Sequence, residues 1–399
     1  MTIGTPTARS QWPLLALLVA LTSMGPVALN ILVPGVPNLV AKFETDAGTV
    51  QLTVSLFLFS LAAGQLLLGP LSDRFGRRPV VLAGVTLATL ASFAAMAADS
   101  IGLLVAARVV QAAGAATGVV IGRAIIRDLY DRDRAAAMLG LVTTAMVVAP
   151  MVAPLIGGIL DTAFGWEAIF LFVALFSLLI LVWAVLALPE TRPAPVPGAA
   201  AMRQRSEWLA LFRSGPFHAY VLVTSFGSAP FFIFIGGAPY VVIDLMGSTS
   251  AAYGLWFTIT SLGYMGGNFA VSRLSGRYGV KTMTGWGLAI QLAGAILLVL
   301  TVLIWERSVP MFFLPQTIMS FGNGLLLPNA IAGAISVRPQ AAGAASGITG
   351  FVQMAIGAIG AQAISHLIVG STNALPVPVA MLAVLLIGTL AFLKLPPEQ

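Results

Sequence analysis

Long apolar runs separated by brief polar punctuation dominate this chain. A helix needs about 20 apolar residues to cross a bilayer. Charge-poor stretches divide the sequence into twelve such segments, at 12–38, 49–70, 79–98, 101–125, 135–161, 167–188, 217–243, 251–272, 281–303, 309–334, 342–369 and 375–394. The stretch from Pro339 to Leu393 has no Asp, Glu, Lys or Arg, yet it must hold two helices. Gly370-Ser371-Thr372-Asn373 is a turn signal there, and Pro376 and Pro378 follow it. The first run, 11–41, is long enough to span and lacks a small-residue cleavage site, so it is expected to remain as a helix.

The polar punctuation repeats. Gly69-Pro70-Leu71-Ser72-Asp73-Arg74-Phe75-Gly76-Arg77-Arg78 returns in weaker form as Leu274-Ser275-Gly276-Arg277-Tyr278-Gly279-Val280-Lys281. Leu, Ser, Arg, an aromatic residue and Gly match at a constant offset. A repeat of this length predicts two similar membrane halves, 1–188 and 216–399. The segment 189–215 joins them as a linker, because Pro193, Pro195, Pro197 and Gly198 prevent a continuous helix. Paired halves of this kind build sites that open to alternate sides of a membrane.

Charge gives the orientation. Sorted by loop parity, one side receives nearly all Lys and Arg, including Arg74, Arg77 and Arg78 in one loop and Arg273, Arg277 and Lys281 in another. The other side receives only Lys42 and Arg307, with Glu44, Asp46, Asp99, Asp161, Glu167, Asp244 and Glu306. The positive-inside rule then places both termini in the cytoplasm. An odd number of spans would scramble this sorting.

Composition narrows the class. The chain is 58% hydrophobic and 9% charged, where a soluble domain carries about 25% charged residues. Its net charge of +6 is scattered over short loops without interleaved aromatic residues, which argues against nucleic acid as a partner. There is no cysteine, so disulfides and thiolate chemistry are excluded. His218 and His366 are too far apart to suggest a metal site, and no cofactor is expected. An intramembrane hydrolase would need a nucleophile and base within reach, and neither histidine sits in such a motif.

The Gly69–Arg78 string resembles the signature loop between the second and third helices of the major facilitator superfamily. Arg108-Val109-Val110-Gln111-Ala112-Ala113-Gly114 resembles the fourth-helix motif of its proton-coupled members. Ala149-Pro150-Met151-Val152-Ala153-Pro154-Leu155-Ile156-Gly157-Gly158 resembles the fifth-helix motif of its drug exporters. Asn30-Ile31-Leu32-Val33-Pro34-Gly35-Val36-Pro37 and Leu188-Pro189-Glu190-Thr191 are similar to the Bcr/CflA drug-resistance group. The resemblance implies an all-α membrane protein of twelve transmembrane helices in two pseudo-symmetric six-helix bundles. It implies a monomeric transporter of the bacterial inner membrane that exports small amphipathic compounds, by proton antiport, among membrane lipids. The alternative is a nutrient or metabolite permease working by symport or uniport. Where that group carries a first-helix acid, this chain has Asn30, which cannot exchange a proton near neutral pH.

Several residues are candidates for that work. Asp73, Arg74, Arg77 and Arg78 are read as a gating latch, with Asp73 pairing with Arg77 or capping the next helix. A purely topological basic loop is the simpler reading. Pro150, Pro154, Gly157 and Gly158 suit a bent, closely packed helix on which halves rock. Arg108 is the basic residue placed well inside a span, and such a charge must face protein or a wet cavity. It either tunes a proton or substrate site or anchors neighbouring helices, with Gln111 beside it. Asn30, Met146, Phe232 and Tyr264 are candidate cavity residues, together with Met24, Phe231, Phe234 and Tyr240 as an adaptable apolar wall. Every Asp and Glu falls near a span end, although a boundary error of one turn would move Asp161 or Asp244 inward.

Overall fold

The computed structural model describes residues 12–130, 132–192, 210–368 and 370–395. Twelve long helices follow one another: α1 Trp12–Asn30, α2 Ala47–Phe75, α3 Arg77–Met96, α4 Ile101–Leu129, α5 Arg132–Phe164, α6 Trp166–Ala187, α7 Gly215–Pro239, α8 Ser250–Tyr278, α9 Val280–Ile304, α10 Val309–Ser336, α11 Ala342–Ile368 and α12 Pro376–Phe392. Nine apolar stretches among the described residues are long enough to cross a membrane. Shorter apolar helices lie at Val148–Phe164, within α5, and at α12. The remaining helix, α8, is 29 residues long and richer in Ser, Thr, Gly and Asn.

Helix ends follow local chemistry. Asp46 caps α2, its Oδ1 accepting from the Thr49 backbone N–H at 2.9 Å, and Ser100 caps α4 through the Leu103 N–H at 3.4 Å. α1 ends at Asn30, where Pro34 and Pro37 deny the next turns their donors. A 3-10 turn, Val33–Gly35, and a short helix, Val36–Lys42, complete the first crossing. The first crossing is therefore irregular just beyond Asn30. α7 likewise finishes in a wide π-helical segment, Tyr240–Leu245, after Pro239.

The packing pattern of the first six helices recurs in the last six. α4 packs on α1, α2 and α3, as α10 packs on α7, α8 and α9. α1 also contacts α5 and α6, as α7 contacts α11 and α12; α3 meets α6, as α9 meets α12. Small residues bring these backbones together. A Cβ at Gly118 would stand 2.0 Å from the Leu21 carbonyl oxygen, and one at Gly267 would stand 2.2 Å from that of Phe321. Large apolar side chains also face outward, Leu186 at 80% and Leu67 at 68% exposure. An apolar outer surface of that extent requires a lipid solvent.

Candidate functional site

Each half offers two helices to the other. α2 lies along α11 and α5 lies along α8, and internal symmetry relates these two seams. In the first seam, Ser55 Oγ donates to Gln362 Oε1 at 2.6 Å, and Gln362 Nε2 donates to the Gly48 carbonyl at 2.9 Å. In the second, Ser250 Oγ donates to Asp161 Oδ2 at 2.8 Å and Thr258 Oγ1 to the Met151 carbonyl at 3.2 Å. Tyr240 adds a long bond, 3.4 Å, to the Ala47 carbonyl. These contacts hold together the end of the bundle that carries Asp46 and Asp161, and the first seam continues past the middle, where Gln65 Nε2 donates to Met354 Sδ at 3.1 Å.

Backbone contact tightens the second seam. α5 runs through Pro150 and Pro154 without interruption. A Cβ at Gly157 would stand 1.9 Å from the Ile31 carbonyl oxygen, so that glycine fits α5 to α1 within its own half. A Cβ at Gly158 would stand 2.2 Å from the Ser250 carbonyl oxygen of the opposite half. Gly254 returns the approach, 2.4 Å from the Pro154 carbonyl oxygen by the same measure. The adjacent glycines thus serve different interfaces, and only Gly158 lies on the seam between halves.

The opposite, basic end carries the signature loop. Gly76 turns the chain at φ 101°, a region that favours glycine. Arg77 then reaches back: Nη1 donates to Asp73 Oδ1 and to Ser72 Oγ, and Nε donates to Asp128 Oδ2 at 3.0 Å. Asp73 therefore pairs with Arg77, and Glu190 provides the helix cap. Its carboxylate accepts from the backbone N–H groups of Arg77 at 2.9 Å and Arg78 at 3.2 Å. Burial opposes ionisation of Glu190, but the N–H groups of Arg192, Arg77, Arg78 and Thr191 outweigh it and hold the carboxyl below its ordinary range. Arg192 Nη1 also donates to the Arg74 carbonyl at 2.9 Å, so the chain leaving α6 is stitched to the loop. Arg78 Nη2 donates to the Val185 carbonyl at 2.8 Å, and the Arg74 guanidinium lies 5.2 Å from the Phe75 ring centre.

Arg108 is fully buried inside the first half. Its Nε donates to the Thr53 carbonyl at 3.1 Å, and Nη1 donates to the Ala28 carbonyl at 2.9 Å and to Gln111 Oε1 at 2.5 Å. Gln111 Nε2 passes the chain to Ser92 Oγ at 2.7 Å. The guanidinium lies 4.0 Å from the Phe57 ring centre, a cation–π contact. Arg108 and Gln111 together thus join α1, α2, α3 and α4. Among the described residues, Arg108 Nη2, Thr53 Oγ1 and the Oδ1 of Asn30 are buried without a hydrogen-bond partner; Asn30 Nδ2 donates to the Pro26 carbonyl at 2.9 Å.

A family model for the Major Facilitator Superfamily matches residues 15–361. The chain belongs to that superfamily. It is a membrane transporter, not an enzyme. A bicyclomycin resistance protein homolog of Haemophilus influenzae is 29% identical over 93% of both chains. Multidrug resistance protein D of Escherichia coli is 29% identical over 85% of both. A chloramphenicol resistance protein of Pseudomonas aeruginosa is 31% identical over 81% of this chain and 74% of its own. A bacterial homologue of the human lysosomal transporter Spinster, solved inward-facing and unoccupied, superposes with TM-score 0.75 at 15% identity, covering 98% of this chain and 97% of that one.

The aromatic wall of this superfamily member is largely core. Phe234 is completely buried and packs on Phe257, Phe312 and Phe313, with ring centres at 6.4, 5.5 and 5.5 Å. Phe232 is 6% exposed and fills the space over Gly357 on α11. Met24 is buried as well. Tyr264 on α8 stays partly exposed, and its carbonyl accepts from Asn268 Nδ2 at 2.9 Å. The Met146 side chain lies outside the described residues. Sequence reasoning missed Ser55, Gln362, Ser250, Asn38 and the capping role of Glu190. An isolated amide in a charge-free run was the available signal for Gln362, but nothing in the local sequence named its partners.

Proposed function

We propose that this chain exports small amphipathic compounds, antibiotics among them, by alternating access coupled to proton antiport. The observation that carries the reading is the pair of symmetry-related seams, closed at one end by Gly158 and Gly254 against opposing backbone. Such an end opens when two intact halves rotate, without repacking either. The resistance proteins that share its length supply the substrate class. In this proposal 1–188 and 216–399 are the rotating bodies and 189–215 their linker, of which 193–209 lie outside the described residues. The basic end faces the cytoplasm of an inner-membrane monomer, with both termini on that side, surrounded by lipid.

In this reading the closed acidic end marks the inward-facing state. Asp73, Arg77 and Asp128, with Arg74 and Arg78 beside them, form the latch that must rearrange when the basic end closes. Pro150, Pro154, Gly157 and Gly158 shape the acidic-end gate. Asn30 and Arg108 offer their unpartnered polar atoms to substrate or water; Gln111 positions Arg108; Tyr264 contributes apolar surface, whereas Phe232 is packed in the core. The permease alternative draws on one residue, Asn30, which replaces an ionisable group.

Transport in inverted vesicles tests the proposal, with the pH gradient and the electrical potential collapsed separately. Export that stops when the pH gradient is lost is expected. Export indifferent to both gradients would remove antiport.

A further inference from the structure

Asp161 is 7% exposed and sits where three elements converge. Its Oδ2 accepts from Asn38 Nδ2 at 2.6 Å, on the short helix after α1, and from Ser250 Oγ at 2.8 Å, on the opposite half. A Cβ at Gly35 would stand 3.1 Å from its Oδ1, so the pocket is tight. We propose that Asp161 is a proton-binding site built into the seal between the halves, and that a proton taken up from the acidic face favours the closed seal.

The surroundings of the carboxyl differ between the closed and open states. In the closed seam it has two neutral donors, and no ion pair reaches it among the described residues. The charged groups on the packed elements do not neutralise it. Glu167 at the start of α6 acts on it with like charge, and Asp244, in the π-helical segment after α7, is also acidic. Lys42 closes the short helix but is exposed, and α8 carries no charge before Arg273. α1 bears none. Opening the seam withdraws Ser250 and admits water, which solvates a carboxylate well. Burying a lone charge is costly, whereas a neutral acid keeps both hydrogen bonds. The closed state therefore holds the proton more tightly, and by linkage the proton favours closure. A proton from that side would reset an exporter after release of its cargo, in a chain with Asn30 in α1.

The inference rests on the alternating-access reading but needs no knowledge of the substrate. The chain has no cysteine, so Phe164→Cys and Leu255→Cys, at positions 75% and 54% exposed, accept a clean pair of spin labels across α5 and α8. Distances would be measured in lipid nanodiscs over a pH series. A short distance is expected to dominate in acid. A longer one should gain on it as pH rises, by at most about tenfold per pH unit for one proton. Asp161→Asn should hold the short distance at every pH. Ser250→Ala, which keeps the acid, should favour the longer distance throughout and retain the pH response. An unchanged pH response in Asp161→Asn would overturn the inference, as would a distance in the unsubstituted background that lengthens in acid or never changes. Absent export with pH-dependent distances would sink the export reading alone.

Discussion

The two copies of the signature loop fold alike and carry different charge. Gly76 and Gly279 both turn the chain at positive φ, 101° and 80°, and each N–H donates to the serine carbonyl four residues back at 3.0 Å. Each copy also ties its third helix to the end of its own half. Arg78 reaches the Val185 carbonyl, and Lys281 Nζ reaches the Leu395 carbonyl at 2.9 Å. Between these shared points the chemistry diverges. The first copy binds Asp73, Arg77 and Asp128 together and adds the Glu190 cap. The second has Gly276 and Val280 at the matching positions, and Ser275 Oγ donates to Asn329 Oδ1 on α10. The turn is what a six-helix half requires; the Asp73, Arg77 and Asp128 network is an addition at the first copy, where the second has Gly276 and Val280 at the Asp73 and Arg77 positions. The second copy makes the same turn without an acid and a base at those two positions, so the turn itself does not depend on the Asp73–Arg77 pair.

Arg77→Ala should break this comparison most visibly. It leaves Asp128, at 12% exposure, without its cation, and such a loss costs about 3 kcal/mol. Val280→Ala should cost about 1 kcal/mol or less. Thermal unfolding in detergent compares the two, and equal losses would refute the assigned asymmetry.

Alanine at the turn glycines comes next. Gly76→Ala and Gly279→Ala should each cost about 1–3 kcal/mol through backbone strain. Gly76→Ala should cost more, because its Cβ would stand 2.6 Å from Glu190 Oε2 and disturb the cap. A larger loss at Gly279 would contradict this order.

Glu190→Gln should cost about 1 kcal/mol at neutral pH, the usual worth of a cap. Solvent screening keeps the effect small for so exposed a group. Because folding lowers the Glu190 pKa, its contribution is complete above the ordinary carboxylate range and disappears as pH falls through the lowered value. The difference between Glu190→Gln and the unsubstituted protein should therefore shrink in acid; a difference that grows would reverse the sign. Gly276→Asp should change stability least, within about 0.5 kcal/mol, since Val280 offers the new carboxylate no cation at Arg77's position.

Parts of this site were legible in the chain. Asp73 and Arg77 are four residues apart across the Gly76 turn, so their pairing is a local contact. Arg108 and Gln111 share a helix face for the same reason. The break after Asn30 follows from Pro34 and Pro37, which lack N–H groups. The seams were not legible. Ser55 and Gln362 lie 307 positions apart, Asp161 and Ser250 89, and Asn38 and Asp161 123. Period and composition say nothing about contacts at such separations. Nor could adjacency distinguish Gly157 from Gly158, which face different helices.

By itself the sequence determined twelve apolar helices, their sorting into two repeated sets and the turns that join them. Burial of apolar surface in lipid and backbone hydrogen bonding within each helix act over a few turns, so local residues suffice to specify them. Tertiary structure alone decided that Arg108 and Gln111 tie four helices together, that Glu190 caps α3, and that Asp161 meets a serine of the opposite half. Those facts depend on which helix faces come together, and many distant residues fix that choice jointly.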